Sequence, residues 1–220
     1  LNLPDIPAIN QFLNFGGEQF SKSRGVVVDS SEMVEKYGND PIRFYLTYIA
    51  PENHDSGFTW ADFARVVNDV LIANLGNFIN RTLTLAQQIP TSSQDVGIDK
   101  KIEQEIKTAI SGAKSAVEKP ELKNYLDQIL KLADSGNKYL AEHEPWKIKD
   151  DQEKYDKIIT NALYTVLTLH ALIKPLLPET YEKLASILNI DFRKWPKAKE
   201  IRQSVGEIQI GKIEPLFGKI

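Results

Sequence analysis

Trp60–Gln88, WADFARVVNDVLIANLGNFINRTLTLAQQ, holds no Pro and a single Gly, and it reads as one long helix. Phe63, Val67, Val70, Leu71, Leu75, Phe78 and Leu85 recur at three- and four-residue steps and draw an apolar stripe along it. Thr59 and Asp62 are placed to cap its start, and Pro90 closes it. Counting about 100° per residue, Arg81 falls about 45° from the stripe's centre and Asn77 about 85° from it. Standing four apart, both project over one face. A guanidinium beside a core stripe needs a partner, because burying it alone is costly. Either an internal group or a ligand must meet Arg81.

Downstream, the pattern stays helical. After the polar turn 91–97, Ile98–Lys119 carries apolar marks at Ile102, Ile106, Ala109, Ile110 and Val117. Pro120 separates it from a stronger helix with Leu122, Tyr125, Leu126, Ile129, Leu130, Ala133 and Leu140. Pro145-Trp146 has the arrangement of a helix start, where Pro costs no backbone bond. Residues 155–173 repeat the helical period, Pro175 and Pro178 make a bend, and Glu179–Leu188 is the last regular helix. Helices joined by short polar turns predict an up-and-down bundle over residues 60–220. In the tail, Glu207–Ile213 has the composition of a short strand that packs back on an earlier part.

Upstream, residues 1–59 are mixed. Leu3-Pro4-Asp5-Ile6-Pro7 is a stiff entry. Gln11–Phe15 reads as a strand, Gly16-Gly17 as its turn and Glu18–Phe20 as the return. Ser21-Lys22-Ser23-Arg24-Gly25 gathers two hydroxyls, an ammonium and a guanidinium, a set able to contact phosphate oxygens. A solvated basic turn has the same composition. Val26–Val28 reads as a buried strand. Ser30 or Ser31 caps a short helix that Gly38 stops, and Asp40-Pro41 caps and starts the next. Pro51–Gly57 reads as a loop.

The totals narrow the class. A chain of 220 residues, 42% hydrophobic and 26% charged, can bury a sizeable core as one or two soluble domains. No apolar run reaches the roughly 18 residues of a membrane span. Leu1–Ile9 lacks a basic start and carries Asp5, so no leader is expected and the location is cytoplasmic. There is no Cys, and His54, His143 and His170 stand far apart, which excludes a cysteine-based metal site and disfavours a histidine one. The net charge of −3 argues against an indiscriminate polyanion or DNA binder.

Two stretches carry a family resemblance. Gly17-Glu18-Gln19-Phe20-Ser21-Lys22-Ser23-Arg24-Gly25 resembles the KMSKS signature of class I aminoacyl-tRNA synthetases. Gly38–Leu46 is similar to the segment that follows that signature. Gln19 stands where the signature has its first lysine, which removes one positive charge, while Lys22 matches the second. In the bundle, Asn74–Thr82 and the pair Asn137–Leu140 with Glu144-Pro145-Trp146-Lys147 are similar to the anticodon-reading motifs of methionyl-tRNA synthetases. Glu214–Phe217 resembles that family's ending. Taken singly, Trp146 fits a packed interface, and Asn77 with Arg81 an internal polar pair. The joint match in the family's order favours the other reading.

The resemblance implies a mainly α fold. Residues 1–59 would be the loop-bearing, stem-contacting remnant of a catalytic half, and 60–220 the helical anticodon-binding domain. It implies anticodon contacts at Asn77, Arg81 and Trp146, and catalytic contacts at Ser21, Lys22 and Ser23 on a loop that closes on ATP with magnesium. Unstacked bases are read by stacking on an aromatic plane and by bonds to their edges, which suits Trp, Arg and Asn. No HIGH-type string, methionine pocket or zinc-bearing insertion is present in the sequence. The chain is therefore expected to be inactive alone, without a metal of its own, zinc belonging to a part not included. Expected partners are methionine tRNA and the remaining catalytic domain, with ATP and methionine used by the parent. A leucine, isoleucine or valine enzyme shares the signature loop, and a non-catalytic protein-interaction bundle is the reading from another class.

Overall fold

The structure, a computed structural model, describes residues 7–21, 23, 25, 27–88, 97–148 and 150–220. Its centre is a helix that the chain's apolar content dictates. In α7 (Gln152–Ile173) every residue from Ile158 to Ile173 is buried, polar ones included. It packs against α4 (Asn77–Ala86), α5 (Lys100–Glu118), α6 (Leu122–His143), α8 (Pro178–Leu188) and α9 (Ala198–Ser204). A helix surrounded in this way must satisfy its polar side chains internally. Thr165 and Thr168 donate to the carbonyls one turn back, and Asn161 accepts from Asp99 N–H at 2.8 Å while donating to Lys157 O.

The opening stretch differs from the sequence expectation in one respect. It is helical throughout, but as α3 (Trp60–Val66), a π-helical segment Val67–Gly76, and α4. Thr59 caps it, its hydroxyl accepting from Asp62 N–H at 3.2 Å. Of the stripe, Phe63, Val67, Leu71, Leu75 and Phe78 are fully buried, whereas Val70 and Leu85 are only partly so. Val66 and Ile79, on the α-helical turns either side of the π-helical segment, join the core too. The helix ends at Ala86; Pro90 and residues 91–96 lie outside the described residues.

The amino-terminal part is built on β1 (Leu13–Phe15), β2 (Glu18–Gln19) and β3 (Ser56–Phe58), in the order β2-β1-β3. Gly16 and Gly17, at φ 58° and 89°, make the hairpin turn between β1 and β2, a pair of left-handed residues that glycine adopts freely. Strand β3 is a correction: Ser56 and Gly57 fall in the expected loop Pro51–Gly57, yet with Phe58 they pair in parallel with β1, Leu13 opposite Ser56. The expected strand at 26–28 is absent at Val27 and Val28, and Val27 is exposed; Val26 lies outside the described residues. Phe58 anchors the sheet on Tyr45, Trp60 and Phe63 by edge-on and stacked ring contacts.

Two capping assignments also change. Helix α1 (Ser30–Tyr37) is capped by Asp29, which accepts from Ser31 and Glu32 N–H, rather than by a serine. Helix α2 (Asn39–Tyr48) has no side-chain cap of its own. Asp40 instead reaches α8, its carboxylate accepting from Glu179 N–H, Thr180 N–H and the Thr180 hydroxyl at 3.3, 2.6 and 2.6 Å. Three residues on, Arg43 donates to Leu176 O and Pro175 O just past the end of α7. A carboxylate at one helix start and a guanidinium at another helix end both complement the local dipole. Helix α2 thus straddles the α7–α8 turn.

In the tail, Glu207–Ile213 forms no strand. Gln209 and Gly211 donate to Leu188 O and Ile187 O, so the segment docks on the end of α8. Phe217 lies against Gly76, and Asn68 exchanges two hydrogen bonds with the backbone of Ile220.

One buried group gives stability a pH signature. His170 is fully buried, donates from Nε2 to Tyr181 O at 3.1 Å, and has no donor for Nδ1 among the described residues. Burial pushes its imidazole down to about 4, with the Tyr181 carbonyl and Asp191 opposing. The unfolded chain therefore binds a proton there at higher pH than the folded one does. Stability is complete above about pH 6.5 and falls by ~3 kcal/mol as pH drops towards 4. Asp191, held near 2 chiefly by the Tyr181 hydroxyl, loses its share only below that window. Urea unfolding between pH 4 and 7 should show this slope, and His170→Gln should flatten it; an unchanged slope in the variant would rule the histidine out.

Candidate nucleic-acid interface

The edge that bears Asn77 and Arg81 begins with a close helix crossing. Gly136 of α6 faces Phe78 of α4, and a methyl at Gly136 would stand 2.3 Å from Phe78 Cζ. The absence of a side chain there lets α6 lie against α4. One residue on, Asn137 Nδ2 lies within hydrogen-bond distance of Asn74 O, Asn74 Oδ1 and Ala133 O, at 3.1, 3.0 and 3.2 Å. The end of the π-helical segment is thereby pinned to α6 immediately before Asn77. Tyr155 secures the other end of α4, donating to Leu85 O at 2.8 Å.

Helix α6 stops at Glu144, which takes a left-handed conformation at φ 43° and ψ 54°. That reversal, followed by the 3₁₀ turn Pro145–Lys147, turns the chain back towards α4. Pro145 is buried and anchors the turn, while Trp146 stays 44% exposed. Glu144 and Lys147 close the turn with a 2.6 Å ion pair.

Across this crossing Arg81 meets Trp146, its guanidinium carbon 4.9 Å from the ring centroid. The partner that the half-buried guanidinium requires is therefore an aromatic face rather than a carboxylate. Asn77, one turn earlier, is exposed, and its carboxamide makes no hydrogen bond among the described residues. The edge holds a flat ring, a planar cation and an open amide side by side. Together they offer a stacking plane with donors and an acceptor beside it. Lys138, on the same helix as Gly136, is held by Asp134 at 2.7 Å, and Tyr139 is buried beneath His143, ring to ring at 4.2 Å. Sequence reasoning missed the Gly136–Phe78 contact and the Asn74–Asn137 bond. The glycine inside a helical pattern was the available signal.

The phosphate-contact candidates are only partly described. Ser21 and Ser23 face each other with hydroxyls 3.1 Å apart just after the β1–β2 hairpin, and Phe20 stacks on Phe15 at 5.8 Å. Lys22 and Arg24 lie outside the described residues. Among those described, no group of three or more His, Asp or Glu is arranged to hold a metal.

A helical bundle whose edge sets a guanidinium against an indole ring is thus joined to a small three-stranded sheet. The profile described as tRNA synthetases class I (M) matches residues 1–83, and that described as the anticodon binding domain of methionyl tRNA ligase matches 89–220. The chain belongs to the methionyl-tRNA ligase family, of which it carries the anticodon-binding domain. A methionine–tRNA ligase of Pyrococcus horikoshii is 34% identical over all of this chain and 31% of its own length. One from Chloroflexus aurantiacus is 36% identical over 87% of this chain and 33% of its own. The chain thus spans about a third of the length of these relatives. The fold is shared with a Mycobacterium tuberculosis methionyl-tRNA synthetase solved with methionyl-adenylate, at TM-score 0.75 and 22% identity, covering 94% of this chain and 42% of that one. Family membership sets aside the leucine, isoleucine and valine enzymes and the protein-interaction scaffold.

Proposed function

We propose that Asn77, Arg81 and Trp146 read the methionine anticodon. The observation that carries this is the Arg81–Trp146 stack beside an open carboxamide. An extruded base finds a plane to lie on, a fork of donors at its edge, and an amide that both gives and accepts hydrogen bonds. Residues 60–220 act as the reading domain, and 1–59 connect it to the catalytic half of a longer cytoplasmic protein. That protein activates methionine with ATP and magnesium and transfers it to tRNA, a zinc site lying elsewhere in it. Ser21, Lys22 and Ser23 belong to the loop that meets ATP. Two hydroxyls and an ammonium bind phosphate oxygens, and the ammonium stabilises charge that grows on the departing pyrophosphate. The chain by itself reads tRNA without charging it.

Filter binding tests the assignment. Arg81→Ala and Trp146→Ala should each weaken binding of methionine tRNA by about 5- to 150-fold, the ~1–3 kcal/mol of one good base contact. Neither should change the weak binding of a tRNA whose anticodon has been swapped. Equal losses on both RNAs would mean a general electrostatic or folding role.

A further inference from the structure

His143 is the last residue of α6, one before the Glu144 reversal and three before Trp146. It follows Gly136 by two turns and lies about 20° from it around the helix, on the face that Gly136 turns towards α4. Two contacts fix its ring. The imidazole packs on the buried Tyr139 ring, 4.2 Å between centroids, and Nδ1 donates to Tyr139 O at 2.9 Å. A carbonyl oxygen only accepts, so in the neutral ring Nδ1 carries the hydrogen and Nε2 keeps a bare lone pair. Nε2 has no partner among the described residues and is open to solvent, the side chain being half-buried. Arg81 and Trp146 bring only donors to this edge. His143 adds an acceptor that is already held in place.

We propose that His143 Nε2 accepts a hydrogen bond from the RNA, at the nucleotide on Trp146 or the one beside it. The proposal rests on the anticodon-reading assignment. Three residues span at most about 11 Å, so a nucleotide on the indole ring or its neighbour lies within reach of the imidazole. A phosphate is the wrong partner, because it is anionic and has no hydrogen to give a lone pair, and exposed Glu142 adjoins the ring in sequence. The donors that RNA offers are the ribose 2′-hydroxyl and the base amino groups. Both present the same chemistry to Nε2, a polarised hydrogen. Because Tyr139 immobilises the ring before RNA arrives, little ordering cost is set against the bond. His143 is then a recognition residue of the same edge, selecting a donor where Arg81 selects acceptors.

Filter binding of the 220-residue chain to RNA stem-loops bearing the methionine anticodon tests this. One series replaces each loop ribose in turn by its 2′-deoxy form, and a second replaces each anticodon amino group by hydrogen. His143→Ala should weaken binding of the unmodified loop by about 3- to 10-fold, the worth of one hydrogen bond. His143→Phe, which keeps a ring on Tyr139 and removes both nitrogens, should lose the same amount. At one position the modified loop should bind the wild-type chain that much more weakly, and bind both variants no more weakly than the unmodified loop does. A deoxy position identifies the ribose as the donor and an amino position the base. Replacements that cost the variants as much as the wild type at every position overturn the bond, and so does full affinity in His143→Phe. An anticodon-swapped stem-loop separates the two failures. If the wild-type chain does not prefer the methionine loop to it, the anticodon assignment fails and the proposal with it; a preference kept without any such position overturns the His143 bond alone.

Discussion

Asp40→Ala should lower the unfolding free energy by about 3 kcal/mol, the cost of stripping an acceptor from several buried donors at once. The carboxylate is 2% exposed and meets two backbone N–H groups and the Thr180 hydroxyl, while α8 has no side-chain cap of its own. Thr180 is itself buried, so water does not replace the lost oxygens. Asp40→Asn retains one acceptor oxygen and should cost about a third as much. Arg43 would remain on the Pro175 and Leu176 carbonyls, so the damage should begin at the first turn of α8 rather than at the end of α7. Denaturant titration with exchange measured at 178–182 checks both points. A loss under about 1 kcal/mol for the alanine variant would show that the turn repacks around the missing group.

Gly136→Ala should be as severe, because the added methyl would sit 2.3 Å from a ring that is fully buried. Phe78 is held in the core on its helix, and overpacking of this kind costs about 1–3 kcal/mol or more. The strain should also appear in binding. Forcing α6 off α4 separates the 3₁₀ turn from Arg81 and should reduce affinity for methionine tRNA at least as much as Trp146→Ala does. Phe78→Leu in the Gly136→Ala background should recover part of both losses, since the smaller side chain leaves room for the methyl. Strict additivity of the two changes would show that they do not meet.

How much of this was legible in the sequence depends on how far apart the interacting residues are. Helices announce themselves locally. The three- and four-residue spacing of Ile102 and Ile106, or of Leu126, Ile129 and Ala133, is enough to place α5 and α6 and to bury those residues. Asp40 shows where local reading stops. Before Pro41 it has every mark of a cap for its own helix, but its donors lie 140 positions away. Strand β3 was hidden for a related reason. Ser56-Gly57 is turn-like in composition, and only pairing with Leu13 and Asn14 makes it a strand. At the interface, the odd placement of Arg81 beside a core stripe was visible, and so was its need for a partner. That the partner is the Trp146 ring follows from the Gly136 crossing and the Glu144 reversal, which no spacing within either helix encodes.

The π-helical stretch Val67–Gly76 has a consequence for how this edge can be altered. Upstream of it α3 is locked to the aromatic cluster around Phe58, and downstream α4 carries Asn77 and Arg81. The wide turns between them act as an indexing ring between two shafts. Deleting a single residue there would tighten the coil and rotate everything beyond it, leaving Asn77 and Arg81 in place along the chain yet aimed elsewhere. The recognition proposed for this edge is therefore open to change by length as well as by substitution.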